Sequence, residues 1–332
     1  MNGVVCGNTA LIHERTLMRI AVCCANTKVE PWLHGLRAAL PGATVSLVDP
    51  EAAGFDPAAE ADYAVVWSPP QAFIDSQPSL KAIFNIGAGV DALMKLKLPL
   101  GVPVIRLDDA GMSVQMAEYV CQAVIRHFRE FEAHESDAAQ GRWIYRKSSR
   151  RAEFTIGVMG LGVLGTRVCQ ALAQFEYPVL GWSRSPKSRD GVQCFFGESG
   201  LKDFLAATRV LVCLLPLTPD TEGIMRRETL SQLMPGGYVI NVARGRHLVD
   251  EDLLALIDSG HLAGATLDVF RTEPLPASHP FCQHPKITVT PHMSARTLRD
   301  ESIAQIAGKL RALDSGALVS SLAGVVNLNL GY

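Results

Sequence analysis

Short apolar runs alternate with segments of helical periodicity along most of the chain. Runs such as Arg19–Ala25 and Tyr63–Trp67 have the length and the β-branched and aromatic content of buried strands. Between the runs, apolar residues three and four positions apart predict amphipathic helices, as in Pro31–Leu40. Buried strands that alternate with helices are typical of a parallel sheet that carries helices on both faces.

The alternation occurs twice along the chain. The first series predicts strands at Arg19–Ala25, Thr44–Val48, Tyr63–Trp67, Ala82–Ile86 and Val104–Arg106. A single long helix is predicted over Val114–Ala139. The second series predicts strands at Phe154–Met159, Pro178–Trp182, Val210–Leu215, Tyr238–Val242, Ala263–Val269 and Ile287–Thr290. We therefore expect two doubly wound α/β domains, Rossmann- or flavodoxin-like, with parallel sheets and the active site in the cleft between them.

The two ends of the chain are expected to share one domain. The long helix and a last helix, predicted over Thr297–Leu313, bridge the two series. We therefore expect a discontinuous first domain, residues 18–113 plus 296–332, and an inserted second domain, residues 114–295. Residues 1–17 precede the first strand and lack a signal-peptide pattern, so we interpret them as a disordered extension.

Composition narrows the class of protein. The chain has 332 residues, is 48% hydrophobic and carries a formal net charge of -2, which offers no general attraction to nucleic acid or to an anionic membrane. No apolar run approaches the ~20 residues that span a bilayer. The eight cysteines form no CxxC pair and no regular framework, which favours reduced thiols. We expect a cytoplasmic protein of enzyme size, without nucleic-acid or membrane partners.

A glycine-rich turn follows the first strand of the second series. Gly160, Gly162 and Gly165 form a GxGxxG motif at a predicted strand-to-helix junction. In that context the first glycine permits the tight turn, the second lets the backbone approach a pyrophosphate, and the third lets the helix pack on the strand. The motif predicts that residues 114–295 bind a dinucleotide and leaves substrate binding to the discontinuous first domain.

The end of the next strand indicates which dinucleotide binds. An NAD site usually has Asp or Glu there, bonded to the ribose 2′-hydroxyl. Here no carboxylate occurs before Asp190, whereas Ser183, Arg184 and Lys187 could bind a 2′-phosphate. We expect NADPH as the cofactor, with NADH as the alternative; a solvated basic loop is the other interpretation of this segment.

Three ionisable residues follow later strands at points where a ligand could meet them. Arg244, Glu273 and His292 lie at or just beyond successive strand ends, which face one crevice in a parallel sheet. Reduction of a 2-keto acid needs a cation for the carboxylate and a proton donor, and a nearby carboxylate favours the protonated form of a histidine. Individually each residue has an ordinary structural explanation, but together they predict this chemistry.

The order of these motifs along the chain resembles that of a known enzyme family. VARG, LDVF with the following EP, and TPH, all downstream of GxGxxG, resemble the D-2-hydroxyacid dehydrogenase family over residues 18–332. Segments such as IGAGVD, GWSRSPK and ARGRHLVDEDLLALIDSG are similar to its glyoxylate/hydroxypyruvate reductase group.

The resemblance implies residue roles. It implies that Arg244 binds the substrate carboxylate and carbonyl, that His292 is the general acid, and that Glu273 orients it. The loop after the fourth strand is expected to offer backbone N–H groups to the substrate. The residues of this loop are Gly87, Ala88, Gly89 and Val90. Trp67 either forms a wall of the substrate pocket or is an ordinary aromatic side chain at its rim. The remaining expected cofactor contacts are Val163, Leu164, Leu215, Pro216, Val242, Ala243, Asp268, His292 and Ser294.

The expected function is NADPH-dependent reduction of glyoxylate or hydroxypyruvate by a homodimer. Two alternatives stay open: an NAD-dependent dehydrogenase of another 2-hydroxy acid, and a dinucleotide-sensing binding protein on the same fold. His279, Cys282 and His284 suggest a metal site, but the spacing lacks a second ligand pair, so we expect none.

Overall fold

The computed structural model describes residues 17–25, 27–49, 60–147 and 149–331. The predicted extension over residues 1–17 lies outside this part except for Leu17. Within the described ranges, no helix is long and apolar enough to cross a membrane.

The first five strands form one parallel sheet. The strands are β1 (Met18–Cys24), β2 (Ala43–Leu47), β3 (Tyr63–Trp67), β4 (Ala82–Asn85) and β5 (Val104–Ile105). Their order is β2-β1-β3-β4-β5, the flavodoxin-like arrangement. Helix α1 (Glu30–Ala39) begins with a proline in its first turn and buries Trp32, Leu33 and Leu36, and the short α2 (Gln71–Asp75) buries Phe73 and Ile74.

The predicted long helix is two helices in the structure. Helix α3 (Met112–Phe128) ends where its apolar face ends, and Phe128 packs edge-on against Phe154 at 4.9 Å. Glu130 then adopts a left-handed conformation (φ 54°), and α4 (Phe131–Ala139) continues in a new direction with a mostly exposed surface. The prediction of one helix was wrong because no buried stripe continues past Phe128 to hold the second half in line.

Seven parallel strands form the second sheet. They are β6 (Ile156–Met159), β7 (Val179–Ser183), β8 (Val192–Phe196), β9 (Val210–Cys213), β10 (Gly237–Asn241), β11 (Leu262–Leu267) and β12 (Ile287–Val289). The strand order is β12-β11-β10-β9-β6-β7-β8, so successive strands are added on one side of β6 up to β8 and then on its other side from β9 onwards. Rossmann folds have the same change of side, and they bind ligands at that point of the sheet. The helices between them are α5 (Val163–Gln174), α6 (Gly197–Ala206), α7 (Arg227–Leu230), α8 (Asp250–Asp258) and α9 (Pro280–Gln283). The predicted fold class is confirmed.

The last helix joins the first sheet. Helix α10 (Arg299–Asp314) packs on α1, and a Cβ placed on Gly35 would lie 2.3 Å from Ile303 Cδ1. Ile306 and Leu310 share a buried cluster with Val22. This packing supports the discontinuous first domain, whose limits at residues 113 and 296 stay a prediction.

Candidate active site

A cleft of about 2230 Å³ lies between the two sheets, and residues that follow strand ends of both sheets line it. On the side of the first sheet the lining includes Trp67 and the loop of residues 87–90. The predicted residues that line it from the second sheet are Gly160, Gly162, Val163, Leu164, Gly165, Ser183, Arg184, Lys187, Leu215, Pro216, Val242, Ala243, Arg244, Glu273, His292 and Ser294. The fold thus brings all but one of the predicted site residues to one cavity.

His292 and Glu273 form a direct pair in this cleft. His292 Nδ1 lies 2.7 Å from Glu273 Oε2, and Glu273 Oε1 accepts a hydrogen bond of 2.9 Å from the backbone N–H of Phe270. One oxygen of the Glu273 carboxylate is therefore fixed by the backbone while the other binds the imidazole. With Nδ1 bonded to the carboxylate, Nε2 is the ring nitrogen left to exchange a proton with a ligand in the cleft.

Asp268 is the one predicted cofactor contact that does not line the cleft, so that contact stays a prediction. Its side chain is fully buried, and its oxygens accept hydrogen bonds from Thr290 Oγ1 and from the backbone N–H groups of Met293 and Ser294. The Thr290 hydroxyl is in turn 2.6 Å from that of Tyr119, whose pKa burial raises to about 12. Asp268 therefore fixes the loop that carries His292, because a buried carboxylate must take its hydrogen bonds from the protein.

Arg244 enters the cleft at the end of β10. The Asn241 side chain donates to the Arg244 carbonyl (3.0 Å) and accepts from the Ala243 N–H (3.2 Å), which folds the chain out of the strand. The guanidinium donates through Nη1 to the Ala243 carbonyl (2.7 Å) and through Nε to Asp91 Oδ1 (3.1 Å). Asp91 belongs to the first sheet's side of the cleft, so this ion pair crosses between the two sheets.

The imidazole of His247 contacts the backbone carbonyl of Arg244. Its ring is fully buried, with Nδ1 3.1 Å from the Arg244 carbonyl and Nε2 3.2 Å from the Pro216 carbonyl. Burial lowers the pKa of His247, and the two carbonyls only partly oppose that effect. Both neighbours are acceptors, so a neutral ring donates its single N–H to one of the two carbonyls and packs between the Arg244 turn and the segment at Pro216.

The loop of residues 87–90 is held open towards the cleft. The buried Asn85 side chain donates to the carbonyls of Gly87 (2.8 Å) and Gly89 (2.9 Å). Within the described part of the chain, the backbone N–H groups of Ala88, Gly89 and Val90 have no acceptor. A Cβ on Gly87 would lie 2.3 Å from Trp67, and one on Gly89 would lie 1.7 Å from Arg244 Nη2. Free N–H groups beside a guanidinium suit a carboxylate ligand.

The three glycines after β6 have different surroundings. Gly160 has φ 104°, which favours glycine, and a Cβ on Gly165 would lie 1.8 Å from the Gly160 carbonyl oxygen. By contrast, a Cβ on Gly162 would meet no protein atom within 4 Å. Gly162 therefore faces open cleft at the N-terminus of α5, where the unbonded N–H groups of a helix favour an anion.

Alanine substitutions should separate these roles. We expect Gly162→Ala to change the unfolding temperature little but to raise the Kd for NADPH at least about tenfold, a loss of roughly 1.4 kcal/mol. Gly165→Ala, the matched control, should lower the unfolding temperature because overpacking costs about 1–3 kcal/mol. Fluorescence titration and thermal unfolding measure both quantities. Unchanged NADPH binding in Gly162→Ala would contradict the assignment.

The basic segment after β7 lies beside the same turn. Lys187 Nζ and Arg189 Nη2 donate to the Leu161 carbonyl at 3.2 and 3.3 Å, while Arg184 is exposed. Ser183 is buried and its hydroxyl donates to the Ser185 carbonyl at 2.9 Å. Partial burial, and secondarily Arg189, lower the pKa of Lys187. Lys187 and Arg189 are thus held at Leu161 of the glycine turn, and Arg184 and Lys187 line the cleft, where they can face a phosphate.

Several side chains that organise the site were not predicted from the sequence. These are Asn85, Asp91, His247 and Arg189. The segment IGAGVD contains Asp91, and its position just after the glycine loop was the available signal. Asp91, His247 and Arg189 have contacts 153, 31 and 28 positions away along the chain, which spacing alone does not reveal. Asn85 contacts only the loop that follows it, and those contacts depend on the path of the loop.

The histidines and cysteine of SHPFCQHP do not converge. His279 Nε2 lies 3.5 Å from Asp250, and His284 Nε2 lies 3.4 Å from Asp258. In the described residues, no group of three or more His, Cys, Asp or Glu side chains could hold a metal ion.

Comparison with known proteins agrees with this geometry. The family described as "D-isomer specific 2-hydroxyacid dehydrogenase, NAD binding domain" matches residues 121–294. A glyoxylate/hydroxypyruvate reductase A from Serratia proteamaculans is 46% identical over 309 residues, which are 91% of this chain and 96% of that protein.

Two solved structures are similar over nearly the whole chain. One is a D-isomer specific 2-hydroxyacid dehydrogenase from Xanthobacter autotrophicus in complex with NADPH and MES, with a TM-score of 0.89, 38% identity and coverage of 96% of this chain and 100% of that one. The other is an NADPH-dependent glyoxylate/hydroxypyruvate reductase from Sinorhizobium meliloti in complex with NADP and sulfate, with a TM-score of 0.86, 34% identity and coverage of 95% and 100%. This chain belongs to the D-isomer specific 2-hydroxyacid dehydrogenase family.

Proposed function

We propose that this chain is an NADPH-dependent reductase of small 2-keto acids, with glyoxylate and hydroxypyruvate as substrates. The observation that carries the proposal is that the His292–Glu273 pair, Arg244 and the open face of the glycine turn share one cleft. The names of the Serratia and Sinorhizobium relatives support the choice of substrates and of cofactor.

The residues of the cleft provide the groups that the reaction needs. Arg244 and the backbone N–H groups of residues 88–90 bind the substrate carboxylate, and Arg244 polarises the keto group. His292, oriented by Glu273, donates a proton from Nε2 to the keto oxygen as it gains charge. NADPH, when bound, supplies the hydride for the keto carbon. Closure of the cleft excludes water and strengthens these interactions.

Absorbance decay of the reduced cofactor tests the proposal. Purified protein is mixed with NADPH or NADH and with glyoxylate, hydroxypyruvate or pyruvate. We expect rapid oxidation of NADPH with glyoxylate and hydroxypyruvate. Tight NADPH binding without oxidation by any of the three acids would contradict the proposal and favour a dinucleotide-sensing protein. Faster oxidation of NADH would contradict the cofactor choice alone.

The basic segment should determine the preference for NADPH. We expect the double variant Arg184→Ala, Lys187→Ala to raise the Kd for NADPH by about 10–100-fold, because hydrogen bonds to a charged group contribute roughly 1.5–3 kcal/mol. The Kd for NADH should change by less than about threefold, since NADH lacks the 2′-phosphate. Fluorescence titration with each cofactor measures the difference. Equal losses for both cofactors would show that the segment does not recognise the phosphate.

We also propose that the chain is a cytoplasmic homodimer. The described cysteines are all free, which supports a reducing compartment. Arg142 and Arg146 anchor an extended segment to the buried Asp137, and that segment exposes Trp143 and Tyr145 almost completely. Large exposed aromatic side chains on an anchored segment are typical of an interface. Sedimentation should give a dimer that Trp143→Ser weakens; a monomeric wild type would contradict the proposal.

A further inference from the structure

Asp91 is an acidic side chain in a cleft that is proposed to bind an anion. It follows the loop of residues 87–90, and its Oδ1 lies 3.1 Å from Arg244 Nε. A carboxylate in this position repels an anionic substrate and competes for the same guanidinium. A favourable contribution of Asp91 to the reaction would be needed to offset this repulsion.

Contacts with both sides of the cleft fix the orientation of the Arg244 guanidinium. Nη1 donates to the Ala243 carbonyl, Nε donates to Asp91, and Nη2 lies beside Gly89, where a Cβ would be only 1.7 Å away. Nη2 thus points to the loop whose N–H groups have no acceptor in the described chain. Among the residues that the structure describes, Asp91 is the one charged group that contacts this guanidinium, since the Ala243 carbonyl is neutral.

The pair is poorly suited to a role in stability alone. The side chains of Arg244 and Asp91 remain 31% and 33% exposed, and ion pairs at such sites contribute little to folding. The two residues come from opposite sides of the cleft, so the bond links the side of the loop of residues 87–90 to the residue proposed to bind the substrate carboxylate.

We propose that Asp91 is a positioning residue, which orients Arg244 for the substrate and does so only in the closed cleft. This inference rests on the proposed function. Before closure, Arg244 keeps only its contact with Ala243 and its long side chain is free to rotate. On closure, Asp91 fixes the guanidinium edge towards the loop of residues 87–90. Substrate binding is thereby coupled to the closed state, in which water is excluded.

Three variants and a control test the role of Asp91. Asp91→Ala should lower kcat/KM for glyoxylate by about 10–100-fold, the size of effect expected for a misplaced binding group. Asp91→Asn should retain more activity, because its amide oxygen still accepts from Nε. In the Arg244→Lys background, Asp91→Ala should have little further effect, since the partner is already lost. Asp108→Ala, which breaks an ion pair with Lys309 on α10, should stay near wild type.

A binding measurement keeps the test independent of turnover. Oxamate is a 2-oxo carboxylate whose amide carbonyl does not accept hydride, and its Kd is measured by fluorescence with NADP⁺ bound. We expect Asp91→Ala to raise the Kd of oxamate about tenfold and to leave the Kd of NADP⁺ unchanged, because the two ligands use different donors. Tighter oxamate binding in either Asp91 variant, or additive losses with Arg244→Lys, would overturn the inference. If wild type oxidises NADPH with none of the keto acids, the proposed function fails, while the oxamate result still decides the role of Asp91.

Discussion

Replacing His292 by alanine should lower kcat for glyoxylate reduction by about 10²–10⁴-fold, the usual contribution of a general acid. The reason is geometric: Glu273 holds Nδ1 at 2.7 Å, so Nε2 is the proton donor available to the cleft. The Kd for NADPH should change little. Stopped-flow or steady-state absorbance of NADPH measures kcat, and a fluorescence titration measures binding.

Two further variants sharpen this prediction. Glu273→Gln keeps the shape of the side chain but removes its charge, so it should lower kcat by less than His292→Ala does. His34→Ala removes an exposed histidine of α1 and serves as the control. Turnover near wild type in His292→Ala would remove His292 from the mechanism and would require another proton donor.

Replacing Arg244 by lysine should lower kcat/KM by about 10²–10³-fold, since weakening its hydrogen-bonded charge pair with the substrate carboxylate, which the closed cleft buries, costs roughly 2–5 kcal/mol. A lysine ammonium cannot donate through two parallel N–H groups to a carboxylate, and it cannot contact Ala243 and Asp91 from one plane. The loss should appear mainly with the keto acid and not in the Kd for NADPH. Initial rates over a range of glyoxylate concentrations give kcat and KM.

Arg246→Lys is the matched control for this change. Arg246 lies two positions further along and forms an exposed pair with Glu222 at 2.8 Å. Exposed pairs of this kind contribute at most about 1 kcal/mol to stability, so its kinetics should remain close to wild type. Similar losses in both variants would indicate general damage to the turn after β10 and not the loss of a substrate contact.

The fold could be predicted because its signals are local. Alternating apolar runs identified the strands of both sheets, and GxGxxG marked the turn after β6. The prediction omitted β8 and α6, because β8 is a half-exposed edge strand without a clear apolar face. It also joined α3 and α4 into one helix, because the spacing of apolar residues does not show that the backbone of Glu130 adopts a left-handed conformation.

The site could be predicted only in part, for a related reason. Arg244, Glu273 and His292 stand at strand ends, which topology alone brings to one crevice. The contact between Asp91 and Arg244 joins positions 153 residues apart, and the clamp by Asn85 depends on the exact path of its loop. The predicted contact of Asp268 with the cofactor followed from the family resemblance, and in the structure its carboxylate accepts hydrogen bonds from the loop that carries His292.

The packing of Gly87 and Gly89 limits how this enzyme can discriminate among substrates. Any side chain at position 87 would displace Trp67, and any at position 89 would displace Arg244. At these two positions the loop therefore presents only main-chain atoms, which in the proposed function contact the carboxylate common to all 2-keto acids. Neither glycine contributes a side chain that could sense the remainder of the molecule. Selection by size therefore falls to side chains around this loop, among them Trp67, which lies on the same side of the cleft and packs against Gly87.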